Sequence, residues 1–482
     1  MIDVDLKEEK RLVAQSGQQQ FDLVVVGAGP GGYVAAIRAA QLGMRTAIVE
    51  REHLGGVCLN WGCIPTKSLL KSAEVYQTLL NADAYGLAFS GAGFDLKQVV
   101  QRSRDVAARL RSGVEGLMAK NRVQVFTGNG WLQSPGVVEV THADDTRSVL
   151  QAPHIIFATG ASPREIPGVR ADGKVIWTAR EAMTPEALPE SLLVIGAGAI
   201  GIEFASFYRT FGTAVTVIES LDAILPQEDA DISAAAQRSL KKRGISFHTG
   251  ARVESVDVSD TSATVCWTDS SGESRSEQFD RVILAVGVAA NTQGLGLVEQ
   301  GVKLERGQVV VDEWCRTSVD GVYAIGDMTA PPLLAHKASH EAVICVEKIA
   351  GVAGVEPLDP MSVPRCTYSS PQVASVGLTE EQARAQGLSV RVGKFDLRGL
   401  GKAHAVGEMD GLVKTVFDDD SGELLGAHMI GPAVTELIQG YVVAKNLETT
   451  EQELMDTVFA HPTLSEAMHE SVLDAFDQAI HA

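Results

Sequence analysis

The chain has 482 residues, 45% hydrophobic and 21% charged, which at about 150 residues per domain predicts roughly three domains and excludes disorder. Its 41 Lys and Arg against 61 Asp and Glu give a formal charge of −20; such a charge repels a phosphate backbone and argues against nucleic acid as a partner. No apolar run reaches the ~18 residues of a membrane span, and the longest candidate, 192–202, is interrupted by three glycines. Residues 1–20 are polar and charged, without the apolar stretch of a signal peptide and with acids that transit peptides lack, so a cytoplasmic setting is expected. Six cysteines in this length do not form a disulfide framework.

From residue 21 the pattern is strand, turn, helix, strand. An apolar strand at 23–26 leads into Gly27, Gly29 and Gly32, an Ala-rich helix with Ala36, then Gly43, a second strand at 46–49 and Glu50. In such a unit the first glycine permits a tight turn and the second lets backbone approach a pyrophosphate. The third lets helix and strand pack closely, the helix N-terminus offers N–H groups to phosphate, and the closing acid accepts from a ribose.

The next segment runs Gly55-Gly56-Val57-Cys58-Leu59-Asn60-Trp61-Gly62-Cys63-Ile64-Pro65-Thr66-Lys67. On an ideal helix, residues five apart have Cα atoms roughly 8.7 Å apart, beyond the ~7 Å limit for a disulfide. A bond between Cys58 and Cys63 therefore needs a distorted turn, which Gly62 allows. Pro65 suits the first turn of a helix running on through Leu70, placing Cys63 near a helix N-terminus where the dipole favours thiolate. Two other readings stand beside a redox pair. Zinc would need four ligands, and no second cysteine pair or close histidine pair completes a set, so no metal is expected. Two buried thiols would sit poorly among glycines and prolines.

The strand–turn–helix–strand unit recurs at 191–219, with strands at 192–195 and 215–218, glycines Gly196, Gly198 and Gly201, then Ala205, Gly212 and Glu219. Glu50 and Glu219 each lie 23 residues after their first glycine. A lone G-x-G-x-x-G is weak evidence, but two copies matched in strand, helix and acid predict two dinucleotide sites. After Glu219 come Ser220, Leu221 and Asp222, with no cation to meet a 2′-phosphate, which favours NAD over NADP. A nicotinamide passes hydride whereas a disulfide opens by thiol exchange or by attack from a reduced flavin. FAD is the simplest converter, and the copy beside the cysteines is its natural site.

Together with 55–70, the runs Ala158-Thr159-Gly160, 317–327 ending in Ile325-Gly326-Asp327, Leu334-Ala335-His336-Lys337 and His461-Pro462-Thr463-Leu464-Ser465-Glu466 resemble the pyridine nucleotide–disulfide oxidoreductases, from residue 21 to the C-terminus. The resemblance implies an α/β fold with two Rossmann-like dinucleotide-binding domains, for FAD and NAD, and an α+β C-terminal dimerisation domain. The implied division is an extension at 1–20, the FAD domain at 21–155, the NAD domain at 156–287, a central domain at 288–357 and the interface domain at 358–482. FAD would be held by Gly27, Gly29, Gly32, Glu50, Lys67, Thr159, Gly160 and Asp327, the last on the ribityl chain. NAD would be held by Gly196, Gly198, Gly201, Glu203, Glu219 and Gly287. Cys63 would face the flavin as a thiolate, Cys58 would exchange with substrate, and Lys67 would pair with Glu203. His461, oriented by Glu466, would be the acid–base group, contributed across a homodimer.

The implied reaction oxidises protein-bound dihydrolipoyl groups with NAD⁺, and the implied partners are dihydrolipoyl domains of acyltransferase or glycine-cleavage proteins. Only about 20 polar residues precede the first strand, so no N-terminal lipoyl domain is expected. Local readings compete with these roles: His461 as a helix-start residue before proline, Glu466 as a capping-box acid, Lys67 and Glu203 as surface charges, and Asp327 as a turn residue. Glutathione reductases would carry cations near 219–222. Mercuric and large thioredoxin reductases add a C-terminal redox centre, whereas the last cysteine here is Cys366. Soluble transhydrogenases lack the cysteine pair, and a non-catalytic scaffold role would not need the full set Cys58, Cys63, His461 and Glu466. Two departures stand out. The segment Val286-Gly287-Val288-Ala289-Ala290-Asn291 lacks the Arg and Pro of many relatives, and Trp61 is bulkier than their common valine.

Overall fold

The computed structural model describes residues 19–481; residues 1–18 of the expected N-terminal extension lie outside the described residues, as does 482. The chain divides into two compact units. The first comprises 19–60, 108–162 and 289–358 of the described residues. At its centre lies a five-stranded parallel sheet in the order Val322–Ala324, His154–Phe157, Leu23–Val26, Thr46–Glu50, Gln124–Thr127. Leu23–Val26 is buried throughout, which is why it reads as a continuous apolar run rather than an alternating one. Because it pairs on both sides, Leu23 opposite Thr46 and opposite His154, the chain leaves it at the middle of the sheet's C-terminal edge, where parallel sheets bind ligands.

The following helix, Pro30–Gln41, begins with the proline that suits a first turn. It buries a stripe of Gly31, Gly32, Ala35, Ala36 and Ala39. The small stripe allows a close approach to the helix Ala335–Ile349: a Cβ at Gly31 would lie 3.2 Å from the Ala338 carbonyl oxygen. A four-stranded sheet, Gln19–Gln20, Arg147–Gln151, Val137–Thr141, Asn129–Ser134, completes a core that includes Val24, Val49, Leu132, Val140, Phe157 and Met328.

The second unit comprises 61–107, 163–288 and 359–481 of the described residues. It repeats the parallel sheet in the order Ile176–Trp177, Arg281–Leu284, Ser191–Ile195, Ala214–Ile218, Ser246–His248. A three-stranded antiparallel meander, Arg252–Val258, Ala263–Thr268, Ser274–Phe279, accompanies it. The helix Cys63–Leu80 packs on the helix Ala199–Thr210, with Leu69, Ala73, Phe204 and Phe207 in one core. The remainder is a five-stranded antiparallel sheet, Arg365–Thr367, Gln372–Gly377, Leu424–Gly431, Leu412–Asp418, Val390–Asp396. The helices Val434–Asn446 and Glu466–Ala475 lie against it, sealing Phe395, Phe417, Met429, Ile438, Tyr441 and Val472. The fold is α/β with two Rossmann-like sheets and an antiparallel α+β portion, the class the sequence implies. Among the described residues no helix is long and apolar enough to cross a membrane.

Candidate active site

The two glycine turns are built alike. Gly27 and Gly196 have φ of +100° and +101°, a left-handed region that L side chains rarely adopt. A Cβ on Gly27 would stand 2.4 Å from the Ala158 carbonyl oxygen, and one on Gly196 2.4 Å from that of Ala285. The third glycines are as tight: a Cβ on Gly32 would meet Gly27 O at 1.8 Å and one on Gly201 would meet Gly196 O at 2.0 Å. Only the second glycines, Gly29 and Gly198, face open space. Each precedes a helix, Pro30–Gln41 or Ala199–Thr210, with no side-chain cap on its first N–H groups. Free amides beside open space fit a pyrophosphate.

The closing acids, expected to accept from a ribose, accept from backbone N–H groups in the structure. Glu50 accepts from Ala28 N at 2.8 Å and Glu52 N at 2.8 Å. Glu219 accepts from Ala197 N at 2.7 Å and Leu221 N at 2.9 Å. In both copies the acid braces the residue between the first two glycines. A cavity of about 540 Å³ opens beside Glu50, lined also by Glu52, His53, Leu54, Arg111 and Thr127.

Elsewhere in the first unit, Thr159 Oγ1 donates to Asn291 O at 2.8 Å, and Asn291 Nδ2 donates back to Thr159 O at 2.9 Å. Asn291 N also donates to Gly160 O at 2.9 Å. Asn291 thus locks the Ala158-Thr159-Gly160 run; the sequence contained it only as the end of a departing segment. Asp327 lies in the short 3₁₀ helix Gly326–Met328. Burial pushes its carboxyl above the ordinary range, and the Lys337 charge acts against that rise. Lys337, itself buried, pairs with Glu341 at 2.8 Å, and Glu341 accepts from Gly326 N at 2.8 Å. Glu341 is a residue that sequence reasoning missed. In the second unit Gly287 has φ +94° with open space around it, and its carbonyl accepts from Arg164 N at 3.0 Å.

The cysteine segment forms two helices. Gly56–Trp61 carries Cys58, Gly62 breaks the run with φ −150° and ψ −115°, and Cys63 opens Cys63–Leu80. The expected helix start at Cys63 is present, and the helix runs ten residues beyond Leu70. One turn after Cys63, Lys67 Nζ donates to both Glu203 oxygens, at 2.8 and 2.9 Å. Glu203 also accepts from Tyr368 N at 2.9 Å, and the ammonium sits 4.5 Å from the Tyr368 ring centroid. The two residues are therefore an ion pair between a half-buried Lys67 and a buried Glu203 rather than surface charges. Tyr368 was not legible as part of it, being 165 residues from Glu203. Burial, with Cys366, Glu436 and Glu203 nearby, pushes the Tyr368 phenol up to about 12.

His461 and Glu466 meet as expected: Nδ1 of the ring lies 2.8 Å from Glu466 Oε1. The other carboxylate oxygen accepts from Thr463 N at 2.8 Å, so Glu466 both ties the loop and turns the ring. Partial burial opposes ionisation of Glu466, but the Thr463 N–H and the His461 ring outweigh it and hold the carboxyl below its ordinary range. The imidazole itself is 77% exposed, presenting its far nitrogen outward from a carboxylate-fixed tautomer.

Residues 21–342 match the family described as pyridine nucleotide-disulphide oxidoreductase, and 363–472 match that family's dimerisation domain. The chain belongs to this family, and is an oxidoreductase with FAD and NAD as its cofactors. Among its relatives, it is 55% identical over 461 residues to the dihydrolipoyl dehydrogenase of Zymomonas mobilis, covering 96% of this chain and 99% of that one. It is 53% identical over 481 residues to the dihydrolipoyl dehydrogenase of Rhizobium etli, covering 96% and 100%. The solved structure of LpdA from Mycobacterium tuberculosis matches with TM-score 0.87 and 31% identity, covering 94% of this chain and 99% of that one.

Proposed function

We propose that the chain oxidises protein-bound dihydrolipoyl groups with NAD⁺, as its dihydrolipoyl dehydrogenase relatives are named for doing. The dithiol loses two electrons and two protons; NAD⁺ gains a hydride, and one proton is released. The observation that carries the reading is the His461–Glu466 hydrogen bond. A carboxylate on Nδ1 fixes the ring hydrogen there and leaves the lone pair on the opposite nitrogen, the arrangement a thiol substrate requires.

The residues fit a flavin: open space at Gly29, a braced Glu50, the Thr159–Gly160 run locked by Asn291, and a partly buried carboxyl at Asp327. Gly27, Gly29, Gly32, Glu50, Thr159, Gly160 and Asp327 would hold FAD, with Lys67 near its ring. Gly196, Gly198, Gly201, Glu219 and Gly287 would hold NAD, with Glu203 fixing Lys67. Bound FAD supplies the two-electron chemistry that links a dithiol to a nicotinamide. The chain's own residues handle thiols and protons. His461 takes a proton from one substrate thiol, and the thiolate attacks Cys58. The bond between Cys58 and Cys63 breaks with Cys63 leaving as thiolate, favoured at a helix N-terminus. The second substrate thiol then displaces Cys58, its proton passing to the departing Cys58 sulfur, and closes the lipoyl disulfide.

The division into domains at 21–155, 156–287, 288–357 and 358–482 belongs to this reading. So does a homodimer, supported by the dimerisation-domain match, in which His461 serves its partner's cysteine pair. Dihydrolipoyl domains of acyltransferase or glycine-cleavage proteins would deliver the substrate. Six cysteines without a disulfide framework support a reducing, cytoplasmic setting. The test is a steady-state assay of the purified holoenzyme with dihydrolipoamide, glutathione disulfide and Hg²⁺, each with both nicotinamides. Dihydrolipoamide with NAD⁺ is expected to dominate; faster glutathione disulfide reduction by NADPH would overturn the assignment.

A further inference from the structure

Trp61, the bulky departure between the cysteines, has a setting of its own. Its ring lies against two guanidinium groups, with Arg104 4.6 Å and Arg180 4.1 Å from the centroid. Arg104 comes from the helix Leu96–Lys120 and Arg180 from the short helix Ala179–Ala182, so two separate elements hold one indole. Burial, and then the Arg180 charge, lower the Arg104 pKa from its ordinary value; the negative face of an indole offsets such crowding of cations.

Trp61 is also the last residue before the joint that leads to Cys63. The Gly62 carbonyl accepts from Thr66 N at 3.1 Å and Thr66 Oγ1 at 2.7 Å, which ties the joint into the first turn of Cys63–Leu80. Farther along, Arg102 donates to Ser68 O at 3.0 Å and Ser68 Oγ at 2.7 Å. The helix Leu96–Lys120 therefore holds the redox segment at 61 and 68, on either side of Cys63 and Lys67.

We propose that Trp61 is a positioning residue for Cys63: the Arg104–Trp61–Arg180 stack fixes the Gly62 joint, and with it the direction in which the first residue of Cys63–Leu80 presents its sulfur. This rests on the dithiol–disulfide reading above, in which Cys63 leaves a disulfide and returns to it in every turnover. A valine at 61 offers no π face to either cation, so the joint loses both anchors.

The experiment compares holoenzymes of the wild type, Trp61→Phe, Trp61→Val and Arg180→Gln. Each is reduced anaerobically by limiting NADH, and the long-wavelength thiolate–flavin absorption is read per bound FAD; kcat and KM for dihydrolipoamide are measured in parallel. Trp61→Val is expected to lose about half or more of that absorption and about tenfold in kcat, with KM changed by less than about twofold. Trp61→Phe keeps both signals because it keeps a ring, and Arg180→Gln falls between. Wild-type absorption and kcat in Trp61→Val would overturn the proposal. Should that variant lose its FAD, Arg180→Gln decides, since it leaves the ring in place, and wild-type absorption there overturns the proposal equally. A wild type that does not turn over dihydrolipoamide defeats the function reading, while the absorption comparison still decides the role of Trp61.

Discussion

The two sulfurs and the imidazole have roles that single substitutions can separate. Cys63→Ser should abolish the long-wavelength absorption seen on partial reduction while leaving FAD bound; an absorption spectrum during titration with NADH checks it, and persistence of the band would remove Cys63 from the role. His461→Gln should slow dihydrolipoamide turnover by about 10²–10⁴-fold, the usual worth of a general acid–base group. NADH should still reduce its flavin at the wild-type rate in stopped flow, since the ring is needed only on the thiol side. Equal loss in both half-reactions would indicate misfolding. The sign of the Glu466 shift gives a pH dependence for the same pair. A carboxyl depressed in the fold contributes stability above its unfolded value and loses it as pH falls through the folded value, so the loop that orients His461 loosens only on the acid side. At this scale much was legible: the spacing of His461 and Glu466, and of Cys63 and Lys67, is short enough for one helix or loop to set. Tyr368 was not legible because its partner Glu203 lies 165 residues away; Glu341 was not because its i,i+4 spacing to Lys337 looks like any helix-surface pair, and only the fold turns its other oxygen to Gly326 N.

Within the nucleotide-binding elements, position in the glycine pattern decides what a methyl group would cost. Gly32→Ala would drive a Cβ to within 1.8 Å of a backbone oxygen, whereas Gly29→Ala meets nothing within 4 Å. The first should prevent recovery of folded protein. The second should fold with a wild-type circular dichroism spectrum yet bind FAD at least about tenfold more weakly, because the methyl would occupy the space proposed for phosphate. Flavin content after gel filtration and a reconstitution titration distinguish them; equal FAD uptake by Gly29→Ala would place the pyrophosphate elsewhere. These elements were readable because their spacing is local and occurs twice. The lock on Thr159 and Gly160 was not, since it depends on Asn291, 132 residues away, and no periodicity announces such a partner.

Over the whole molecule, buried charge joins the second nucleotide fold to the antiparallel sheet. Lys414, 2% exposed, meets Asp229 at 2.8 Å, Asp231 at 2.7 Å and Glu380 at 2.8 Å. Asp229 also caps the helix Ala230–Lys242. Removing one partner of a buried pair strands the others, so Lys414→Met should cost about 3–5 kcal/mol of stability, measurable as a lower urea midpoint of the holoenzyme; an unchanged midpoint would show the cluster to be neutral. The pH window follows from the shifts. Burial opposes the Lys414 charge, but its three carboxylate partners raise its pKa overall. That contribution holds at all pH values below the ordinary lysine value and fades only as pH rises through the raised one. The carboxyls of Asp231 and Glu380 are depressed, against burial in Asp231 and led by the Lys414 bond in Glu380, so their share is lost as pH falls through their folded values. Nothing in composition or local pattern revealed this junction, whose members lie up to 185 residues apart.

The brace from each closing acid back to its own turn carries a final consequence. Glu219 holds Ala197 N and Leu221 N with separate oxygens, so discarding it to admit a phosphorylated coenzyme would also slacken the loop proposed to receive the diphosphate. Drift from one nicotinamide to the other therefore has to cross a valley: a lineage would need a replacement strut in place before the carboxylate could be surrendered, and single substitutions along that route should yield poor enzymes for either coenzyme.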